Sequence, residues 1–245
     1  MKKRIWLFIT QFATFCFRIC LRLRYQIKIE GLEKIPKDAK KCIIAPNHPA
    51  LIDPVIMVSC LWPRIQFRWI AWKPSMPFFL RWWVDPLTNP LYISDKSDKD
   101  EILQTMIKSL KCGNNQLIYP SGMISRNGTE ILGKVRGISS LIQEVDDVKI
   151  ALVRVRGLFG SRFSWGYLNQ EPKLWKVLSS GILILLGNLI FFTPRRKVKI
   201  EIKVIDKSSF PNLEKETINQ FLEDWYNAPG IEERTKTKLF FFSSN

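Results

Sequence analysis

Apolar positions along this chain switch repeatedly between a helical and a strand-like period, and each switch predicts an element. Ile5, Phe8, Ile9, Phe12, Cys16 and Ile19 recur at helical spacing, with Arg18 and Arg22 on another side. From Ile27 the pattern changes: QIKIEG reads as a strand ending at Gly31, IPKDAK as a turn, and KCIIAPN as a buried strand entering a loop. Asp100 to Leu110 predicts a helix with Ile102, Met106, Ile107 and Leu110 on one face. NNQLIYPSG reads as a strand running into a Pro-Ser-Gly loop, Gly137 to Val145 as a helix, and KIALVRVRG as a further strand. VKIEIKVID, from Val198, alternates as a strand with one polar face. NLEKETINQFLEDWYNAPG reads as an amphipathic helix closed by Pro229-Gly230, and the residues beyond are expected to fray. Interleaved strands and helices imply the α/β class, with a mainly parallel sheet flanked by helices.

Two apolar stretches bear on a membrane. The first resembles the start of a signal peptide, but no small-residue cleavage site follows it. Its apolar run stops at Arg18, too soon to cross a bilayer, so the expectation is an interfacial helix with its arginines at the lipid phosphates. Packing against the protein's own core is the alternative. The second run, Val177 to Phe192, is shorter than a comfortable span of roughly 20 residues, and Gly181, Gly187 and Asn188 interrupt it. A surface-embedded or re-entrant helix is expected there, with a buried core helix as the alternative. The chain accordingly divides into an interfacial helix over 1–26, an α/β domain over 27–205, and a C-terminal helix and tail over 206–245.

Composition narrows the partners. With 38 Lys and Arg against 22 Asp and Glu, the net charge of +16 favours an anionic partner. Nine Trp and 16 Phe beside those cations suit a headgroup boundary. The block LWPRIQFRWIAWKPSMPFFLRWW mixes both, as a lipid-contacting surface or acyl-groove wall would. Stacked bases could use the same mixture, but no nucleic-acid motif is present, so an anionic membrane surface is the expected partner and nucleic acid is not. Five cysteines without a C-x-x-C argue against a disulfide framework or thiolate zinc, and a single histidine against a His-rich metal site.

That histidine lies in IIAPNHPALIDP. A buried strand delivers Asn47 and His48 to its carboxyl end, where α/β sheets place their sites. Both His48 and Asp53 precede a proline and are biased away from helical angles, so PALI is read as a compact turn or a single helical turn, either of which can bring the Asp53 carboxylate back to the imidazole. One ring nitrogen would then be held by Asp53, and the other could take a proton from an alcohol attacking a thioester.

This segment resembles the first motif of the lysophospholipid and glycerophosphate acyltransferase family, in which the His is the catalytic base and the Asp its partner. LIYPSGMISRNG resembles the family's F-P-E-G-T-R-S-R loop: Tyr119, Pro120 and Gly122 keep its frame, and Arg126 falls on the last basic position. Ser121 stands where the family has glutamate, and Ile124 where it has the first arginine. The resemblance therefore implies His48 and Asp53 as catalytic residues, and Asn47, Ser121, Gly122, Arg126, Lys134 and Arg136 as candidate contacts to the acceptor. Lys96 is the nearest basic residue for a third motif, and Leu152 replaces a proline expected in the following strand. VDPLTNP, YPSG, VRGLFGSRFS and LIFFTPRRKVKIEI are similar to the branch joined to acyl-carrier-protein synthetases, which reacylates lysophospholipids. Over roughly residues 27–205 the likeness implies acyl-CoA or acyl carrier protein as donor and a lysophospholipid as acceptor. It further implies that no cofactor or metal is needed, and a location on the cytoplasmic face of a bacterial inner membrane. The missing Glu and Arg leave a catalytically silent lipid-binding module as the alternative.

Overall fold

A computed structural model describes residues 2–62, 64–76, 78–188 and 194–235. Its strands are β1 (Tyr25–Glu30), β2 (Cys42–Pro46), β3 (Arg68–Trp72), β4 (Leu91–Ile93), β5 (Gln116–Leu117), β6 (Lys149–Arg156) and β7 (Arg196–Asp206). The helices are α1 (Lys2–Arg24), α2 (Asp53–Leu61), α3 (Phe78–Thr88), α4 (Lys99–Lys111), α5 (Gly137–Glu144), α6 (Leu174–Gly187) and α7 (Lys215–Asn227). The strands join in one sheet of order β1-β7-β6-β2-β5-β3-β4, parallel at every junction except β6 with β7. The sheet is mainly parallel and flanked by helices, as the sequence implied.

β2 and β6 are buried on both faces, which is why CIIAP and IALV read as continuous apolar runs. Alternate residues feed two separate cores. Ile44, Ala151 and Val153 meet α2 through Ile56, Met57 and Leu61, and α3 through Val84 and Leu87. Ile43, Ala45, Ile150 and Leu152 meet α4 through Met106 and Leu110, α5 through Ile138 and Leu141, and α7 through Ile218 and Leu222. The C-terminal helix is thus part of the core. β7 alternates because its Val198, Ile200 and Ile202 side is covered, whereas on the other side Lys199 and Glu201 pair with Glu30 and Arg154 and Ile205 enters the second core.

Several expectations are corrected. Arg18 does not reach outward to phosphates: its guanidinium donates to Ser59 O at 2.6 Å and to Trp62 O, at the C-terminal end of α2, where the helix dipole favours a cation. Thr14 and Leu21 of α1 are buried and Phe17 packs on the core, while Ile9, Phe12, Phe15 and Ile19 are exposed. One face of this helix therefore packs on the core, as the alternative reading had it, and the other is an exposed apolar face. The buried-core alternative for the second apolar run fails over α6, where Ile182, Leu183 and Leu186 are exposed and Val177 is buried; Leu189 to Phe192 lie outside the described residues. No described helix is long and apolar enough to cross a membrane.

The aromatic-basic block is also divided. Trp62, Phe67 and Trp69 are core residues, with Trp69 donating its indole N–H to Thr88, whereas Phe78 and Trp82 are exposed. The strand expected over NNQLIYPSG pairs through Gln116 and Leu117, flanked by the bonds from Arg68 N to Asn115 O and from Ile118 N to Ile44 O, and stops there because Pro120 has no N–H to continue a ladder. The residues after Gly230 do not fray at once: Glu232 N bonds Gly128 O at 2.9 Å and Thr235 N bonds Phe159 O at 3.3 Å.

Candidate active site

β2 ends where Pro46 gives way to Asn47, whose side chain extends the ladder to β6. Its Oδ1 accepts from Val155 N at 2.6 Å, and its Nδ2 donates to Val155 O at 3.0 Å. Both polar atoms of Asn47 thus serve the protein's own backbone. The next residues are tied from two other loops: Ser125 N donates to His48 O at 2.8 Å, and Leu51 N donates to Phe163 O at 2.8 Å. Two loops and the end of β6 therefore converge on one turn at the carboxyl end of β2.

Within that turn His48 Nδ1 lies 3.0 Å from Asp53 Oδ2. The Asp53 side chain is fully buried and that of His48 is 14% exposed. Asp53 opens α2, followed by Pro54, a residue suited to a first helical turn. Its carboxylate gains from the helix dipole and from the Ala50 N–H at 3.0 Å. Burial nevertheless pushes the Asp53 carboxyl above its ordinary range, with the His48 side chain and the Ala50 amide acting against that rise. An ionised Asp53 places the ring proton on Nδ1 and leaves the lone pair on Nε2. The Tyr119 ring stacks on the imidazole, with centroids 4.1 Å apart and planes at 27°, and holds its plane.

Burial and geometry add a residue that sequence reasoning missed. Glu130 is buried, and its Oε2 accepts the His48 backbone N–H at 3.2 Å. Ser121 lies beside the same carboxyl, its own hydroxyl donating to Met123 O at 3.0 Å, and Glu130 Oε1 is left without a hydrogen-bond partner among the described residues. Burial pushes Glu130 up to about 7, with the neighbouring Ser121 hydroxyl and the His48 amide acting against the rise. Its backbone is gripped by Asn227 of α7, which accepts from Glu130 N at 2.9 Å and donates to Glu130 O at 2.8 Å. The one available signal was compositional: Glu130 is the sole acid between Glu101 and Glu144 in a basic chain.

The remaining candidates separate. Ser121 is buried in the turn that Gly122 N closes onto Tyr119 O at 3.0 Å, a turn favoured by Pro120 at its second position. Gly122 is exposed and has φ +67°, a backbone state that glycine adopts freely. Arg126 is exposed, its guanidinium 4.7 Å over the Trp165 ring, on the loop that touches His48. Lys134 and Arg136 are exposed on a segment pinned elsewhere, where Asn219 of α7 donates to Gly133 O and Val135 O at 2.9 Å. Lys96 is exposed in the turn before α4. Among the described residues no cluster of three or more His, Cys, Asp or Glu is placed to hold a metal.

Comparisons with known proteins bear on the family and the fold. The profile of the Acyltransferase family matches residues 26–156, more than half of the chain. Among solved structures, the 1-acyl-sn-glycerophosphate (LPA) acyltransferase PlsC from Thermotoga maritima superposes with a TM-score of 0.62. Its sequence is 18% identical, and the alignment covers 94% of this chain and 82% of that one. A comparison with curated proteins finds no match.

Proposed function

The chain belongs to the acyltransferase family, and from that premise we propose that it moves a fatty acyl group onto the free hydroxyl of a lysophospholipid or 1-acylglycerol-3-phosphate, with His48 as general base. The 3.0 Å contact between His48 Nδ1 and the buried Asp53 carboxylate carries this reading. Asp53 keeps the proton on Nδ1, and Nε2 takes the proton of the acceptor hydroxyl as its oxygen attacks the thioester carbonyl. The tetrahedral intermediate then expels the thiolate, which receives the proton back from the imidazolium. The substrate supplies the nucleophile, so no acyl-enzyme is needed, and neither a metal nor a cofactor enters the scheme. Acyl-CoA and acyl carrier protein both carry a suitable thioester.

Arg126 is our candidate for the acceptor's phosphate, because it shares the 119–130 loop with Tyr119 and is ordered over Trp165. Lys134 and Arg136 are better read as general attraction to an anionic surface. The exposed apolar faces of α1 and α6 support attachment to a membrane, and we place the protein on the cytoplasmic side of a bacterial inner membrane on the strength of the resemblance. The test is His48→Ala, assayed with both donor types on a panel of labelled lysophospholipids. Transfer should vanish while the variant remains folded, with a cooperative melt; wild-type turnover would remove His48 from the mechanism.

A further inference from the structure

Glu130 is a buried carboxyl for which the reaction above has no task. Its fixation is unusual in detail: Asn227 holds both its N–H and its C=O, and its side chain ends between the His48 amide and Ser121. The next residues back are equally constrained. Gly128 has φ +81°, and a Cβ there would come within 2.4 Å of Glu232 O, so the loop passes where only glycine fits. Ser125, in the same loop, donates its own N–H to His48 O. One loop therefore grips both backbone groups of His48: the carbonyl through Ser125 and the amide through Glu130.

The sequence supplies the second half of the argument. The F-P-E-G pattern carries its carboxyl at the position of Ser121, where this chain has a hydroxyl. Ser121 lies against Glu130. A carboxyl is thus present beside the YPSG turn, but it arrives from nine residues further along the chain. A serine at 121 leaves room for it, since two glutamates in one buried pocket would crowd and repel each other.

We propose that Glu130 is the positioning residue of the His48 loop, supplying from the end of the 119–130 loop the carboxyl that position 121 lacks and setting the imidazole against Asp53 and Tyr119. The inference rests on the proposed role of His48. Glu130 touches the backbone of His48 and does not meet the reacting atoms, so its loss should act on turnover through geometry. A misplacement of about 1 Å can cost roughly 10²-fold in rate.

The experiment is a double-mutant cycle on the full chain in bilayer-mimetic micelles. Palmitoyl-CoA and palmitoyl-acyl carrier protein serve as donors, with 1-acylglycerol-3-phosphate and 1-acylglycerophosphoethanolamine as acceptors. Glu130→Ala should lower kcat roughly 10²-fold with KM for the acceptor little changed. Ser121→Glu alone should also be impaired, by crowding. Ser121→Glu combined with Glu130→Ala should recover to within about tenfold of wild type, whereas two independent structural losses would add. Glu130→Gln, which keeps a carbonyl acceptor for the His48 amide, should stay within about tenfold of wild type, because neutral hydrogen bonds differ little in net worth. Hydrogen exchange at the His48 amide gives a readout independent of turnover: faster in Glu130→Ala, restored in the double variant. Wild-type kcat in Glu130→Ala, a dead Glu130→Gln, or a double variant no better than Glu130→Ala in both rate and exchange would each overturn the proposal. His48→Ala runs beside them; activity there would sink the reading of His48 itself, a different outcome from failure of the Glu130 cycle.

Discussion

A carboxylate sealed from water is costly unless its partners are in place, and the site holds two. Asp53 is compensated by an imidazole, an amide and a helix N-terminus. Glu130 is bonded by the His48 amide only, one carboxyl oxygen is left without a partner among the described residues, and burial pushes the group up to about 7 from an ordinary 4.5. The sign of the resulting pH dependence follows. An acid whose folded pKa is raised binds a proton on folding, so its contribution is full below 4.5, declines as pH rises to about 7, and is level above that. The shift corresponds to about 3 kcal/mol. Glu130→Gln should therefore gain stability relative to wild type by up to that amount between pH 5 and pH 8, read from urea unfolding at each pH. Parallel curves for the two proteins would show that Glu130 does not titrate in this window.

At the scale of elements, α1 is the helix on which membrane attachment and folding can be separated. Phe12 is 60% exposed and Phe15 57%, whereas Leu21 is buried against the sheet. Replacing Phe12 and Phe15 together by Glu should weaken binding to anionic vesicles in a flotation assay and leave the melt unchanged. Leu21→Ala should do the reverse, costing about 2–3 kcal/mol with vesicle binding kept. Loss of stability in the first variant would mean that its aromatic face packs inward. This helix also shows what periodicity can and cannot tell. The stripe Ile9-Phe12-Cys16-Ile19 was legible, but a helix apolar on two sides does not announce which side the core takes. Arg18 was misread for the same reason, since its partners are carbonyls of α2 over 40 residues away. β3, α3 and β4 stayed hidden because aromatic and basic residues crowd the region from Leu61 to Trp83, leaving neither period clean.

At the scale of the molecule, the alternation of strands and helices made the mainly parallel sheet legible, and continuous apolar runs marked its two most buried strands. The reversed β7 and the return of residues 231–235 over the site loops were not legible, because both depend on contacts between distant segments. The site divides in the same way. His48 and Asp53 share one short turn and could be paired on sight, whereas Glu130 meets His48 across 82 residues. Sheet, loop and helix all converge on a single imidazole, and because the chain contains one histidine, nitrogen NMR of the whole labelled protein reads that ring without ambiguity. Measured on the neutral ring, the spectrum should show the proton on Nδ1, bonded to Asp53, and a bare Nε2 ready to accept. A proton on Nε2 with Nδ1 unprotonated would contradict the account, because the nitrogen facing the substrate would then have no lone pair to offer.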